Sequence, residues 1–197
     1  MDYGKNLTWG TSGNISVRLE NRVFLTASGS TMGRLKEEDI VVVDLDGRSL
    51  EETKKPSKET GMHLAVYQKC PDVQAIIHAS PFYSTMFGCC DAILRKNLFI
   101  ESMYYDESVL RIPYFHAGSS RLAEAVGNIC DKTHVILMEN HGVLVYDRSL
   151  SECRTCLEIT ENLCRMNLLA ETVGLGLREV PEKTVEEFLT GGYYKKR

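Results

Sequence analysis

The chain has 197 residues, which at about 100–200 residues per domain is one domain. A composition of 43% hydrophobic and 25% charged residues can build a core and excludes disorder as the dominant state. The net charge of −4 argues against a nucleic-acid binder, and no apolar run approaches the roughly 18 residues of a membrane helix. Met1–Asn6 lack the apolar run of a secretory signal. Seven cysteines, odd in number and irregularly spaced, read as reduced thiols in a cytoplasmic protein. Cys153 and Cys156 form a C-x-x-C pair inside a helical segment, with no second pair to complete a zinc site, and read as core packing.

In chain order, Ile15, Val17 and Leu19 alternate with polar residues as in a strand, Asn21-Arg22 turns, and residues 23–26 continue the sheet. Residues 40–45 form a β-branched run closed by Asp46-Gly47. A loop at residues 54–57 leads into a helix over 58–69, with His63 facing out of it. Residues 73–78 form a short strand, and Pro81 opens a helix. Residues 109–112 are a strand and 119–130 a helix capped by Ser119. Strands at 135–138 and 143–146 bracket Glu139-Asn140-His141-Gly142. The longest helix spans about 149–170, with Met166 and Leu169 off its main apolar stripe, and a short helix lies around 185–189. Strands flanked by helices, with several hairpins, predict a three-layer α/β/α or α+β domain with a mixed sheet.

Four segments are over-specified for simple packing. Gly10-Thr11-Ser12-Gly13-Asn14 and Thr26-Ala27-Ser28-Gly29-Ser30 are small and polar at strand ends, where exposed N–H groups can receive an anion. In Lys55-Pro56-Ser57-Lys58-Glu59, Ser57 and Lys58 stand where a helix N-terminus binds phosphate, and Glu59 is placed as a general base or a metal ligand. His78 and His141 sit at strand ends beside tight turns, which suits metal ligands converging on a sheet edge. His116 and His134 carry no ligand pattern.

Taken in order, W-G-T-S-G-N-I-S-V-R from Trp9, L-T-A-S-G from Leu25, K-P-S-K-E from Lys55, H-L-A-V-Y from His63, A-I-I-H-A-S from Ala75 and E-N-H-G-V-L-V from Glu139 resemble the class II aldolase/adducin family, the fold of fuculose-phosphate aldolase and its relatives. The resemblance runs from about Leu7 to Tyr194. It implies a central mixed, mainly antiparallel sheet, and a metal-dependent aldolase-type lyase that cleaves a small phosphorylated ketose through an enediolate. It also implies that Thr11, Gly13, Asn14, Ser28, Gly29, Ser57 and Lys58 bind the substrate phosphate, that Glu59 moves the proton, and that His78 and His141 bind Zn²⁺ or another divalent ion. Tyr193 or Tyr194 falls near a tyrosine that donates a proton in a neighbouring subunit's site, in a homo-oligomer that is a tetramer by resemblance. The departure is Ser80, which stands where the aldolases have a third ligand histidine. A neutral hydroxyl is a weak ligand, so a metal-free, adducin-like binding protein is the alternative, and epimerase or dehydratase chemistry on the same fold is another. Only nine residues precede Gly10, so the chain reads as short by one N-terminal helix of the family.

Overall fold

The computed structural model describes residues 7–50 and 54–194. The expectation of a missing N-terminal helix concerns residues 1–6, which lie outside the described residues. The strands are β1 (Asn14–Leu19), β2 (Arg22–Thr26), β3 (Ile40–Asp44), β4 (Ala75–Ala79), β5 (Val109–Ile112), β6 (Val135–Met138) and β7 (Gly142–Asp147). The helices are α1 (Thr60–Lys69), α2 (Phe82–Gly88), α3 (Ile100–Tyr105), α4 (Ser120–Gly127), α5 (Leu150–Thr172) and α6 (Glu182–Thr190). The strands form one sheet in the order β3-β2-β1-β4-β7-β6-β5, antiparallel throughout except for the parallel β5–β6 pair. This is the mixed, mainly antiparallel sheet expected from the sequence.

The pleat sorts side chains between two helical layers. Ile76, Ile136 and Leu144 face α1 and α4, and pack with Met62, Val66, Leu122 and Val126. Their neighbours Ile77, Leu137, Val143 and Val145 face the other way, onto Phe87 of α2, Tyr104 and Tyr105 of α3, and Cys153, Leu157 and Cys164 of α5. β4, β6 and β7 are covered on both faces, which explains why they read as continuous apolar runs. Cys153 and Cys156 are buried in the α5 seam, and none of the seven cysteines is in a disulfide. No helix among the described residues is long and apolar enough to cross a membrane.

Capping fixes the helix starts. Ser149 Oγ accepts from Glu152 N at 3.2 Å, and Ser119 Oγ accepts from Leu122 N at 3.2 Å. α1 begins at Thr60 rather than Lys58, because Ser57 O closes the first turn on Thr60 N (3.2 Å) and Thr60 Oγ1 (2.6 Å). α3 had no readable sequence signal. It is nucleated locally, where Ser102 Oγ accepts from Phe99 N at 3.2 Å and donates to Lys96 O at 2.6 Å. Met166 and Leu169 are exposed on α5, off the buried stripe.

Leu157 is fully buried at the α5–sheet contact. We expect Leu157→Ala to lower unfolding stability by about 2–5 kcal/mol in urea titration, whereas Met166→Ala on the exposed face stays within about 0.5 kcal/mol of the native chain.

Candidate active site

The alternation of β1 is the reverse of the usual one. Asn14, Ser16 and Arg18 point inward at α1 and are buried, while Leu19 is 59% exposed. On α1 and its N-cap, Glu59, His63 and Tyr67 stand four residues apart on one stripe. Four residues of helix advance about 6 Å and two residues of strand about 6.7 Å, so the two polar rows meet rung by rung. Asn14 Nδ2 donates to Glu59 Oε2 at 2.8 Å, and Asn14 Oδ1 lies 2.6 Å from His63 Nε2. Ser16 Oγ lies 2.7 Å from His63 Nδ1 and 2.8 Å from Tyr67 Oη. Arg18 donates from Nη1 to Tyr67 O at 2.9 Å and from Nη2 to Pro71 O. His63 is therefore fully buried, not facing out as the sequence suggested.

β4 and β7 bring two more rings to Glu59. Asn14 and His78 are register partners across β1–β4, and His141 lies in the turn before β7. His78 Nε2 is 3.4 Å from Glu59 Oε2, and His141 Nε2 is 3.1 Å from Glu59 Oε1. The two imidazoles meet edge to face, with centroids 4.9 Å apart. Two glycines make this crowding feasible. A Cβ on Gly13 would sit 2.5 Å from His78 O, and one on Gly142 would sit 2.5 Å from Ala79 O and 3.3 Å from His78 Cε1.

The protonation pattern leaves a hole for a cation. His78 Nδ1 lies 3.0 Å from Val143 O, which can only accept, so Nδ1 carries the hydrogen. Burial lowers the His78 pKa, so the ring is neutral at pH 7 and its Nε2 turns a bare lone pair toward the carboxylate. Burial works against the charge on Glu59, but the contact with His141, the fields of both rings and the Asn14 amide outweigh it and hold its carboxyl down at about 2. Glu59 Oε1 and His141 Nδ1 are buried without hydrogen-bond partners. Among the described residues, Glu59, His78 and His141 form a group able to hold a metal ion, with ligand atoms within 4.8 Å of one another. Zinc bonds of about 2.0–2.2 Å at tetrahedral angles place ligand atoms roughly 3.3–3.6 Å apart, close to the 3.4 and 3.1 Å between the carboxylate oxygens and the two imidazole nitrogens.

Ser80 does not join this group: its Oγ donates to His141 O at 3.3 Å. His116 does not either, since its Nδ1 lies 3.0 Å from the Tyr114 hydroxyl. The loops singled out in the sequence do converge beside Glu59. Ile15 N donates to Thr26 Oγ1 at 3.1 Å, Ser28 N to Lys55 O at 2.9 Å, and Ala27 bridges Pro56. Thr11, Ser28, Gly29 and Lys58 are exposed at this rim, and Ser57 Oγ accepts from Glu59 N at 3.3 Å. Gly118 packs under the loop, since a Cβ there would lie 2.8 Å from Lys58 O. The two C-terminal tyrosines part ways. Tyr194 packs on Tyr104 and Phe188, away from Glu59, and Tyr193 is 76% exposed.

The residues missed in the sequence are His63, Ser16 and Tyr67. A signal for them existed: Glu59, His63 and Tyr67 at helical spacing opposite Asn14, Ser16 and Arg18 at strand spacing.

Residues 2–168 match the family described as Class II Aldolase and Adducin N-terminal domain. An L-fuculose phosphate aldolase of Methanococcus maripaludis is 31% identical over 172 residues, covering 87% of this chain and 92% of the relative. A 3-oxo-tetronate 4-phosphate decarboxylase of Haemophilus influenzae is 38% identical over 170 residues, covering 83% and 80%. A solved structure of L-fuculose 1-phosphate aldolase superposes with a TM-score of 0.82 at 28% identity, covering 97% of this chain and 90% of the other.

Removing the negative charge between the two histidines tests the cation site. We expect Glu59→Gln to weaken Zn²⁺ binding by more than the about 10–100-fold that a residue behind a ligand commands, measured by chelator competition.

Proposed function

The chain belongs to the class II aldolase and adducin family, and on that premise we propose that it is a metal-dependent lyase that breaks a carbon–carbon bond in a small phosphorylated sugar. The observation that carries this reading is the ionised Glu59 carboxylate set between two histidine nitrogens at the mouth of a small-residue loop cluster.

His78, His141 and Glu59 would hold a divalent ion, with Zn²⁺ the best match to two imidazoles and a carboxylate. The chemistry such an ion supplies is Lewis-acid stabilisation of negative charge on substrate oxygens. The rest falls to the chain's own groups. Glu59 takes up and returns the substrate proton. Its low pKa keeps it ionised at neutral pH, the form that both a ligand and a proton acceptor require. The phosphate is received at the rim by Thr11, Gly13, Asn14, Ser28, Gly29, Ser57 and Lys58. Since the chain is acidic, that attraction is local, from N–H groups, hydroxyls and Lys58. Tyr193 is the C-terminal tyrosine free to reach a neighbouring subunit of a homo-oligomer, a tetramer by family likeness, because Tyr194 is held in its own fold. Unpaired cysteines fit a cytoplasmic setting.

Retro-aldol cleavage of a ketose phosphate is the first reading. The 38% identity to a 3-oxo-tetronate 4-phosphate decarboxylase favours a second, loss of carbon dioxide from a phosphorylated 3-oxo acid. Both leave an electron pair next to a carbonyl, so one site serves either.

The test is turnover with Zn²⁺, Mn²⁺ or Co²⁺ supplied, against ketose 1-phosphates and 3-oxo-tetronate 4-phosphate. Release of triose phosphate or another aldehyde marks the aldolase, and release of carbon dioxide the decarboxylase. Either product is expected to drop at least about 100-fold in Glu59→Gln, on the scale of lost general acid–base catalysis. No turnover of any substrate contradicts the lyase reading.

A further inference from the structure

Five buried side chains form one chain of hydrogen bonds that ends on a single oxygen of Glu59. Its direction follows from the groups themselves. Asn14 turns its NH₂ toward Glu59 and donates to Oε2 at 2.8 Å. Asn14 Oδ1 then faces His63 Nε2 at 2.6 Å, so Nε2 carries the ring hydrogen. His63 Nδ1 is left as the acceptor and receives the Ser16 hydroxyl at 2.7 Å. Ser16 Oγ, having donated, accepts from the Tyr67 hydroxyl at 2.8 Å. This one assignment satisfies every link from Tyr67 to Glu59.

Reversing the Asn14 amide would press Oδ1 against Glu59 Oε2 and force His63 into its other tautomer. Ser16 Oγ would then have to donate to Tyr67 Oη, and the Tyr67 hydroxyl hydrogen would lose Ser16 as its acceptor, in a place shielded from water, since His63 and Ser16 are fully buried. The His63 side chain makes no hydrogen bond to the cation group itself; its ring nitrogens are taken up by Asn14 and Ser16. Its action passes through Asn14.

We propose that His63 is a positioning residue: by donating to Asn14 Oδ1 it holds the amide, pins Glu59 Oε2 and leaves Oε1 for the cation. This deepens the lyase reading and rests on it. The two oxygens are thereby made unequal, with Oε2 bound 2.8 Å from Asn14 Nδ2 and Oε1 buried without a hydrogen bond beside His141. A helical residue one turn beyond Glu59 thus sets the aim of its carboxylate.

The experiment uses Co²⁺ alone, titrated by visible absorption, with thermal melting of the metal-free chain recorded alongside. His63→Phe keeps a ring of similar size without donors and is expected to weaken Co²⁺ binding about 10–100-fold, the range for partners behind a ligand. His63→Gln restores a donor toward Asn14 and is expected to return affinity to within about threefold of native. Tyr67→Phe disturbs the same network at its far end and is expected to leave affinity within about threefold, although its melting temperature falls. If His63→Phe does not fold, Asn14→Leu takes its place with the same expected loss. The inference is overturned by native Co²⁺ affinity in folded His63→Phe or in Asn14→Leu, or by a loss in Tyr67→Phe equal to that in His63→Phe. A native chain that binds no Co²⁺ overturns the metal-dependent reading itself, whereas a native chain that binds it beside an unaffected His63→Phe overturns only the role of His63.

Discussion

Glu59 is buried where a lone carboxylate would protonate rather than remain charged. What keeps it ionised is the contact with His141 and the fields of both imidazoles, with the Asn14 amide adding to them at one end of a seam of polar contacts between β1 and α1 that the Arg18 guanidinium closes at the other. The seam exists because strand and helix repeats nearly coincide there, so that Asn14, Ser16 and Arg18 each find a partner on the α1 stripe. At its upper end Glu59 Oε2 takes the Asn14 amide and lies 3.4 Å from His78 Nε2, while Oε1 lies 3.1 Å from His141 Nε2.

The sheet order makes the same point from the other side. β1, β4 and β7 are adjacent, so Asn14, His78 and the turn bearing His141 arrive at one sheet end with no long connection to span. Gly13 and Gly142 flank His78 on either side, and each lets a neighbouring backbone approach more closely than any side chain would permit. The ring is thus fixed by packing, by register and by the Val143 carbonyl that sets its tautomer. A metal-ligating histidine gains its direction from such a second contact. Ser80, in turn, is spent on the His141 carbonyl, and the third member of the group able to hold a metal ion is Glu59, just before α1, rather than a residue of β4.

Most of the architecture was legible in the sequence. Strand alternation, the Asp46-Gly47 turn and serine caps place all seven strands and the long helices within a few residues. The four motif segments also meet at one end of the sheet. What was not legible follows from a default assumption, that polar residues in an alternating strand face water. On β1 the helix opposite is itself polar along one stripe, so Asn14, Ser16 and Arg18 turn inward and His63 is buried against them. The α3 segment escaped for another reason. Its start depends on Ser102 bonding back to Lys96 and Phe99, a local contact with no periodic signature. The tyrosine ambiguity was real in the sequence, because only the packing of Tyr194 on Tyr104 and Phe188 separates it from Tyr193.

The account stands on one claim, that the seam presents the Glu59 carboxylate to a cation shared with His78 and His141. Anomalous scattering at the zinc edge from crystals of the Zn²⁺-loaded protein tests it most directly. The predicted result is one strong peak within about 2.0–2.2 Å of His78 Nε2, His141 Nε2 and Glu59 Oε1, with Asn14 still on Oε2. A peak that leaves Glu59 out, or zinc bound elsewhere with these three side chains bare, would contradict it.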